Sequence, residues 1–237
     1  MASRLVILPT YNEAENLTIL IPRIFKYIPE VSVLVIDDGS PDGTSAIAEE
    51  LKSKFPKLEA INRGRKMGLG SAYRSGFQWA LKNGFAEIIE MDADMSHRLR
   101  DLRKMLEVKG ADLIIGSRWI TGGGIENWSK GRQFLSKLAN RYVQFALKLG
   151  VNDATSGFRV YQSSLLEKFP LDSMRSDGYA FQIEITRAAR RAGAKIVEVP
   201  ITFRERVSGS SKMSKRIVLE AIFLVTIWGL KRLIKVK

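Results

Sequence analysis

Two residue types with strong side-chain chemistry are almost missing from the 237-residue sequence, which has no cysteine and a single histidine, His97. Disulfide bonds, thiolate metal ligands and cysteine nucleophiles are therefore excluded. A metal site built from several histidines is excluded as well. The lack of cysteine fits a reducing compartment.

Two common nucleotide-binding patterns are also missing. The sequence contains no Gly-x-x-x-x-Gly-Lys-Ser/Thr motif, and no Gly-x-Gly-x-x-Gly follows the first predicted strand. These absences argue against a P-loop kinase and against a nicotinamide-dependent enzyme. A bound nucleotide would need another kind of pocket.

Long apolar runs are scarce. Residues 1–9 are too short for a signal peptide because Pro9 ends the run, which predicts a protein on the cytoplasmic side. Near the other end, Ile217–Leu230 is apolar apart from Glu220, Thr226 and Gly229. As a helix it would span about 21 Å, less than the roughly 30 Å of a hydrocarbon core. Its basic flanks suit a membrane interface, and packing on the domain is an equal alternative.

Charge is strongly unbalanced, with 38 Lys and Arg against 25 Asp and Glu, a net charge of +13. Such a balance indicates an anionic partner, either nucleic acid, a membrane surface or a phosphorylated substrate. Charge alone does not choose among the three.

Strand and helix patterns alternate through the first half of the chain. This alternation predicts an α/β fold with a mostly parallel sheet flanked by helices, in one domain over residues 1–212, followed by an apolar C-terminal helix within 213–237. Asn12 and Glu15 have the spacing of a capping box for the first helix. The predicted strands are Leu5–Leu8, Val31–Ile36, Leu58–Asn62, Ile88–Met91 and Ala111–Gly116.

Polar clusters follow several of these strands. Because ligands bind at the carboxyl ends of strands in such sheets, we expect the clusters to meet at one rim. They are Pro9-Thr10-Tyr11, Asp37-Asp38, Lys66 and the Asp92/Asp94 pair.

The pair Asp92-Ala93-Asp94 follows a buried strand. Carboxylates at such a place suit Mg²⁺, which is often held by one or two carboxylates and by substrate phosphates. The alternative is that the two aspartates only cap the next helix. Taken alone, the spacing does not separate these roles.

The second half is less regular. We predict a glycine-rich loop over Thr121–Asn127, helices over Ser129–Leu149 and Tyr179–Ala192, and a strand over Ile196–Phe203 with Pro200 at an edge or bulge. Arginine matches phosphate oxygens bidentately, and several arginines fall in segments expected to close over the rim. They are Arg118, Arg132, Arg159, Arg204 and Arg206.

Seven short motifs together carry a family resemblance. They run in order along nearly the whole chain: Leu8–Leu17, Ile36–Thr44, Gly68–Tyr73, Met91–His97, Gly116–Arg118, Thr155–Arg159 and Gly209–Met213. In this order they resemble family 2 glycosyltransferases of the GT-A fold, and within that family the dolichol-phosphate and polyprenol-phosphate mannose synthases.

The resemblance implies transfer of mannose from GDP-mannose to a polyprenyl or dolichyl phosphate, with inversion at the sugar carbon and with Mg²⁺ or Mn²⁺ as cofactor. A phosphate monoester is substantially ionised at neutral pH, so the acceptor needs no general base. The implied partners also include a membrane surface or a small integral membrane protein, at the cytoplasmic face, and no nucleic acid.

The resemblance also assigns residues. The guanosine pocket would be lined by Pro9, Tyr11, Glu13, Ile36 and Asp38. Asp92 and Ala93 would face the donor, and the metal would be held by Asp94 and Asp92 with an oxygen from Ser96. Arg118, Arg132 and Ser136 would take the acceptor phosphate, while Arg204, Arg206 and Lys212 would reach the diphosphate from a loop that moves. Asp94, Arg118 and Arg132 are the expected catalytic groups.

One departure from the family pattern follows His97. The family commonly has a proline two residues after this histidine, whereas Arg98-Leu99-Arg100 stands here, which puts the local turn in doubt and adds charges that would meet a membrane. We expect His97 itself to orient the turn through a hydrogen bond.

Two alternatives to the mannose synthase remain. One is a related transferase that uses UDP-glucose or another nucleotide sugar. The other is a basic, non-enzymatic protein that binds nucleic acid or an anionic membrane. The second explains the net charge but not the acidic side chains expected at the strand ends.

Overall fold

A computed structural model describes residues 3–205 and 215–234, and in these the predicted α/β fold is confirmed. The strands are β1 Arg4–Thr10, β2 Ser32–Asp37, β3 Leu58–Asn62, β4 Glu87–Glu90, β5 Leu113–Ser117, β6 Gly124–Glu126, β7 Arg159–Gln162, β8 Ile196–Pro200 and β9 Thr202–Arg204. The helices are α1 Ala14–Tyr27, α2 Thr44–Lys54, α3 Leu69–Lys82, α4 Leu99–Glu107, α5 Lys130–Leu147, α6 Ser163–Leu166, α7 Gly178–Arg191 and α8 Lys215–Ile234.

Seven strands form the central sheet, in the order β3-β2-β1-β4-β7-β5-β8. All pairs are parallel except those of β7, which runs antiparallel between β4 and β5. The strands β6 and β9 form a separate two-stranded sheet. The carboxyl ends of β1, β2 and β4 therefore lie side by side.

The sheet is covered on both faces because the side chains of a strand alternate between them. In β1, Leu5 and Ile7 join the core under α3, α5 and α7, whereas Val6 and Leu8 join the core under α1, α2 and α4. All four side chains are fully buried. Continuous burial of this kind explains the unbroken apolar runs of the central strands.

The predicted capping box of α1 is wrong. Glu13, not Asn12, precedes the helix, and it makes no side-chain cap hydrogen bond. Instead, three backbone N–H groups donate to side chains from the loop after β2: Asn12 to Ser40, Glu13 to Thr44 and Ala14 to Asp42, at 2.9, 2.9 and 3.1 Å. The ends of β1 and β2 are thus tied into one unit.

Arg159 does not close over the rim, contrary to expectation. It begins β7 and is fully buried, and its guanidinium donates to the carbonyls of Ser156 and Ala154 and to the hydroxyl of Thr186. Arg159 therefore holds the turn that leads into the antiparallel strand.

The second half also differs from the prediction in its strands. The predicted strand over Ile196–Phe203 is two strands: Pro200 ends β8 at the edge of the large sheet, as expected of proline, and β9 pairs with β6. The predicted loop over Thr121–Asn127 therefore contains a strand.

The C-terminal helix α8 packs along one side against α5 and α7. Ala221 and Val225 are buried there, the hydroxyls of Tyr142 and Thr226 lie 2.6 Å apart, and Arg187 lies 4.8 Å from the ring centroid of Trp228. Within residues 3–205 and 215–234, no helix is long and apolar enough to cross a bilayer.

Candidate active site

A cavity of about 480 Å³ opens at the carboxyl ends of the central strands. The expected convergence of polar clusters is observed, since residues following β1, β2, β3 and β4 all line it. Those from the first half that sequence reasoning had singled out are Pro9, Thr10, Tyr11, Glu13, Asp38, Lys66, Asp92, Ala93 and Asp94.

The end of the cavity formed by the first strands carries an aromatic platform. The ammonium group of Lys66 lies 4.0 Å from the ring centroid of Tyr11. Such a contact fixes both side chains at the cavity wall. The flat ring of Tyr11 suits stacking with a nucleotide base, and the ammonium group of Lys66 suits the phosphates of the same nucleotide.

Asp38 lines the cavity, but its carboxylate already has protein partners. Its two oxygens accept hydrogen bonds from the guanidinium of Arg63 and from the backbone N–H groups of Met67 and Gly68. Asp38 therefore holds the loop between β3 and α3 in place, and this loop forms part of the cavity wall.

Ile36 does not line the cavity, contrary to the expectation for the guanosine pocket. Its side chain is fully buried in the core under α3, where it packs against Gly76. Ile36 lies within β2 and packs under α3, whereas Asp38, just past the end of the strand, forms the wall.

Two glycines let the β3–α3 loop meet the start of α7. A side-chain carbon at Gly68, where φ is +93°, would clash with the carboxylate of Asp177, and one at Gly70 would lie 2.6 Å from the carbonyl of Ser176. The N–H of Gly70 also donates to the carboxylate of Asp177 at 2.6 Å. The backbone of these two glycines thus meets Asp177 and Ser176 directly at the cavity edge.

His97 orients the turn that carries the two aspartates, as predicted. Its Nδ1 accepts a hydrogen bond from the N–H of Asp92 at 3.2 Å, and its ring stacks on Phe158 with centroids 4.5 Å apart. Burial lowers the pKa of His97 to about 4. The ring is therefore neutral at pH 7, as an accepting Nδ1 requires.

Asp92 and Asp94 fit a hard divalent cation. Asp94 is buried and accepts from the N–H of Ser96 at 3.1 Å, while the buried Ser96 hydroxyl has no hydrogen-bond partner among the described residues. In residues 3–205 and 215–234, no cluster of three or more His, Cys, Asp or Glu side chains is placed to hold a metal. An ion here would thus rely on oxygen ligands from a substrate, as Mg²⁺ often does.

The unusual residues after His97 do not disturb the turn. Leu99 begins α4, and Arg98 is mostly buried, with ion pairs to Asp101 at 2.7 Å and to Glu126 at 3.6 Å. Arg98 therefore ties α4 to the small β6–β9 sheet and is not available to a membrane.

The other end of the cavity carries Arg118, which follows β5. Its guanidinium makes two 2.7 Å hydrogen bonds to the carboxylate of Asp153, and both residues are buried. Burial acts to lower the pKa of Arg118, but the charge and hydrogen bonds of Asp153 outweigh it and raise that pKa. Burial likewise acts to raise the pKa of Asp153, yet Arg118 holds it below 3.8. The pair is charged at neutral pH.

Arg132, in the first turn of α5, lines the same end of the cavity. Its guanidinium lies 3.8 Å from the ring centroid of Trp128 and 3.1 Å from the carboxylate of Glu205. Ser136, one turn further along α5, is not part of the cavity wall. Its position on the same side of the helix follows from the four-residue spacing.

Arg204 lies away from the cavity, contrary to its expected contact with a diphosphate. It is exposed on β9 and pairs with Glu126 at 2.7 Å. Arg206 and Lys212, which had the same expected role, lie outside the described residues.

Several cavity residues were missed by sequence reasoning. Tyr179 and Gln182 stand three positions apart in the first turns of α7, Trp128 lies between the predicted loop and the predicted helix, and Phe203 ends the predicted strand. A pair of polar side chains at helical spacing just after Asp177 was the one available signal, and it is weak.

A buried carboxyl lies behind Gln182. Glu90 accepts hydrogen bonds from Gln182 at 2.5 Å and from Tyr161 at 2.7 Å. Burial raises the pKa of Glu90 to about 7, against the charge of Arg159 and these two hydrogen bonds. This network fixes the Gln182 amide at the cavity wall.

Solved structures share this fold. Glucosyl-3-phosphoglycerate synthase from Mycobacterium tuberculosis superposes with a TM-score of 0.72 at 18% identity, over 96% of this chain and 80% of that one. Mannosyl-3-phosphoglycerate synthase from Rubrobacter xylanophilus gives 0.68 at 20% identity, over 99% and 74%. These likenesses establish the class, an α/β protein of the GT-A type.

Sequence comparison goes further. The family model for glycosyl transferase family 2 matches residues 5–169. Polyprenol monophosphomannose synthase of Mycolicibacterium smegmatis is 48% identical over 96% of this chain and 87% of its own length, and undecaprenyl-phosphate mannosyltransferase of Micrococcus luteus is 45% identical over 95% and 93%. The chain belongs to glycosyl transferase family 2, and the expectation of an enzyme is confirmed over that of a non-enzymatic basic binding protein.

Proposed function

We propose that this glycosyltransferase moves mannose from GDP-mannose to a polyprenyl phosphate, with inversion at the anomeric carbon and with the help of a divalent cation. The names of two relatives at 48% and 45% identity support the mannose and the polyprenyl phosphate. GDP as the carrier, the inversion and the cation are parts of the proposal that follow from the motif resemblance and the chemistry of the site.

One observation carries the proposal. One cavity is lined by Asp92 and Asp94, which follow β4, and by Arg118 and Arg132, of which Arg118 follows β5, two strands further along the sheet. Transfer between two phosphorylated molecules needs this separation, because a nucleoside diphosphate leaves from one side of the sugar and a phosphate monoester attacks from the other. Bringing two anions together requires fixed positive charge.

The reaction requires no protein base. An oxygen of the ionised acceptor phosphate forms a bond to the anomeric carbon while the bond from that carbon to the GDP oxygen breaks. Arg118 and Arg132 would hold the acceptor phosphate. His97, neutral and hydrogen-bonded to the backbone of Asp92, serves the turn and not proton transfer.

The donor would lie at the other end. Tyr11, next to Lys66, suits the guanine base, and Pro9, Glu13 and Asp38 form adjacent wall. Asp92 and Asp94, with Ser96, would hold Mg²⁺ or Mn²⁺, whose charge stabilises the departing diphosphate. Crystal structures of the Mycobacterium tuberculosis synthase contain Mn²⁺ with a uridine nucleotide, which supports a divalent cation in this fold.

We also propose that the protein lies on a membrane surface by means of α5 and α8. Just after Arg132, α5 exposes Phe134 and Leu135, 68% and 62% accessible, and further along it exposes Phe145 at 82%. Packed beside it, α8 exposes Phe223 at 63%. An apolar surface that starts at the arginine end of the cavity suits an acceptor whose phosphate is attached to a lipid.

A donor and acceptor screen tests the proposal. Purified protein with Mg²⁺ should transfer labelled mannose from GDP-mannose to a short polyprenyl phosphate, and GDP should raise the melting temperature more than UDP does. Transfer of glucose from UDP-glucose, together with stabilisation by UDP, would show that the proposed donor is wrong and the proposed acceptor correct. EDTA should abolish transfer, and full activity in EDTA would refute the cation.

A further inference from the structure

Trp128 lies in the cavity wall beside both arginines, and the proposed reaction gives it no role. It lines the cavity and is 9% exposed. One face of its ring carries the guanidinium of Arg132 at 3.8 Å, and the guanidinium of Arg118 lies 5.9 Å from the same ring. Both arginines assigned to the acceptor phosphate are thus neighbours of one indole.

Phe203 restrains the indole, and hydrogen bonds restrain the backbone of Trp128 and the start of α5. Phe203 meets the ring edge-to-face with centroids 5.5 Å apart, and the carbonyl of Trp128 accepts a hydrogen bond from the Gln133 side chain at 3.1 Å. The next residue, Ser129, caps α5 by accepting from the N–H of Arg132. The ring and the arginine therefore belong to one rigid helix start.

Among residues 3–205 and 215–234, the ion-pair partner of Arg132 is Glu205 at 3.1 Å, and both side chains are substantially exposed, 37% and 45%. Ion pairs at that exposure contribute little and are screened by salt. The stacked indole is therefore the main restraint on the direction of the guanidinium.

We propose that Trp128 is a positioning residue for the acceptor: its ring holds Arg132 against the cavity so that the guanidinium meets the phosphate of a polyprenyl phosphate. This inference rests on the proposed function. The indole N–H is buried and has no hydrogen-bond partner among the described residues. Contacts with Phe203 and Arg132 therefore hold the ring in its place.

The test measures equilibrium binding of a short polyprenyl phosphate by calorimetry. Trp128→Leu should bind it about tenfold more weakly, as expected for loss of a desolvated cation–π contact, and Trp128→Phe about threefold more weakly. The shift in melting temperature caused by GDP should stay at its wild-type value in both. Trp228→Leu is the matched control, because it removes a tryptophan–arginine contact outside the cavity.

A double-mutant cycle separates positioning from general support of the fold. In an Arg132→Ala background, Trp128→Leu and Trp128→Phe should each change acceptor binding by less than twofold. Equal losses in both backgrounds would overturn the inference, and so would wild-type affinity in Trp128→Leu. If Trp128→Leu does not fold, the Trp128→Phe cycle decides. If the wild-type protein does not bind polyprenyl phosphate, both the proposed function and this inference are refuted. If it binds with an affinity that does not change when Trp128 is replaced, only the inference is refuted.

Discussion

The aspartate end and the arginine end of the cavity are built in different ways. Asp92 and Asp94 follow β4, and the hydrogen bonds that fix them come from Ser96 and His97, a few residues away. At the other end, Arg118 pairs with a carboxylate 35 residues away and Arg132 with one 73 residues away. At the aspartate end these hydrogen bonds are local, whereas the arginine end depends on the buried, long-range ion pair of Arg118 and Asp153. Arg132 is held mainly by the nearby Trp128.

This difference sets what a substitution does. At the aspartate end, the backbone of the turn is held by His97 and the neighbouring strand, so a changed carboxylate should affect chemistry and leave the fold in place. At the arginine end, Arg118 and Asp153 are buried partners, so a change there should affect stability and chemistry together.

The largest expected effect lies at the aspartate end. Asp94→Asn should lower the rate of mannosyl transfer roughly 100- to 1,000-fold, because a charged ligand near the leaving diphosphate is lost. The melting temperature should hardly change, since the amide oxygen still accepts from Ser96. Asp172→Asn, at an exposed site that pairs with Gln78, is the control. An unchanged rate in Asp94→Asn would show that this end does not handle the diphosphate.

The second effect lies in the buried pair. Asp153→Asn should reduce the free energy of unfolding by about 3–5 kcal/mol, because Arg118 is left as an unpaired buried charge. The folded pKa of Asp153 lies below 3.8, so the wild-type pair stabilises fully above that pH and loses its contribution as the pH falls through the folded value. Urea unfolding of both proteins between pH 7 and pH 3 should therefore show a difference that shrinks with acid. A constant difference would contradict the assignment.

A third effect concerns the exposed arginine. Arg132→Lys keeps the charge but loses the planar fork that grips a phosphate and stacks on Trp128. The KM for the polyprenyl phosphate should rise roughly fivefold to tenfold, with the KM for GDP-mannose unchanged. Steady-state kinetics with each substrate varied in turn measures this. A rise in the KM for GDP-mannose instead would indicate that Arg132 acts on the donor and not on the acceptor.

The smallest expected effect is on vesicle binding, and it compares the α5–α8 surface with the opposite side of the sheet. Phe145→Glu on α5 should weaken sedimentation with anionic vesicles roughly fivefold, since partial burial of a Phe ring contributes on the order of 1 kcal/mol. Ile19→Glu, an exposed apolar position on α1 across the sheet, should sediment as the wild type does. Equal losses in the two variants would mean that charge alone, and not the α5–α8 surface, governs binding.

The locally organised end is also the one that the sequence predicts well. An apolar strand followed at once by Asp92, or by Asp38 after β2, places a polar group at the sheet rim because strand direction is fixed by the alternation of strands and helices. Even there, the family resemblance assigns Ile36 to the cavity, but this residue lies within β2 and packs in the core, and Asp38 past the strand end forms the wall.

The features that could not be predicted depend on contacts between residues far apart in the sequence. Nothing near Arg159 in the sequence shows that β7 inserts antiparallel between β4 and β5 and carries this arginine into the core. Asn12 and Glu15 have the spacing of a capping box, but the N–H groups of Asn12, Glu13 and Ala14 donate instead to side chains about 30 residues away, those of Ser40, Thr44 and Asp42.

The glycine contacts at Gly68 and Gly70 restrict how relatives of this enzyme can be recombined. The two glycines meet Asp177 and Ser176, just before α7, so closely that neither position has room for a side chain. A chimera that takes residues up to α4 from one family member and the remainder from another will keep both halves in register only where the first parent has small residues at these two positions. Exchange of the C-terminal half between family members therefore depends on the close contacts at these two glycines, and not only on the residues that would contact the lipid.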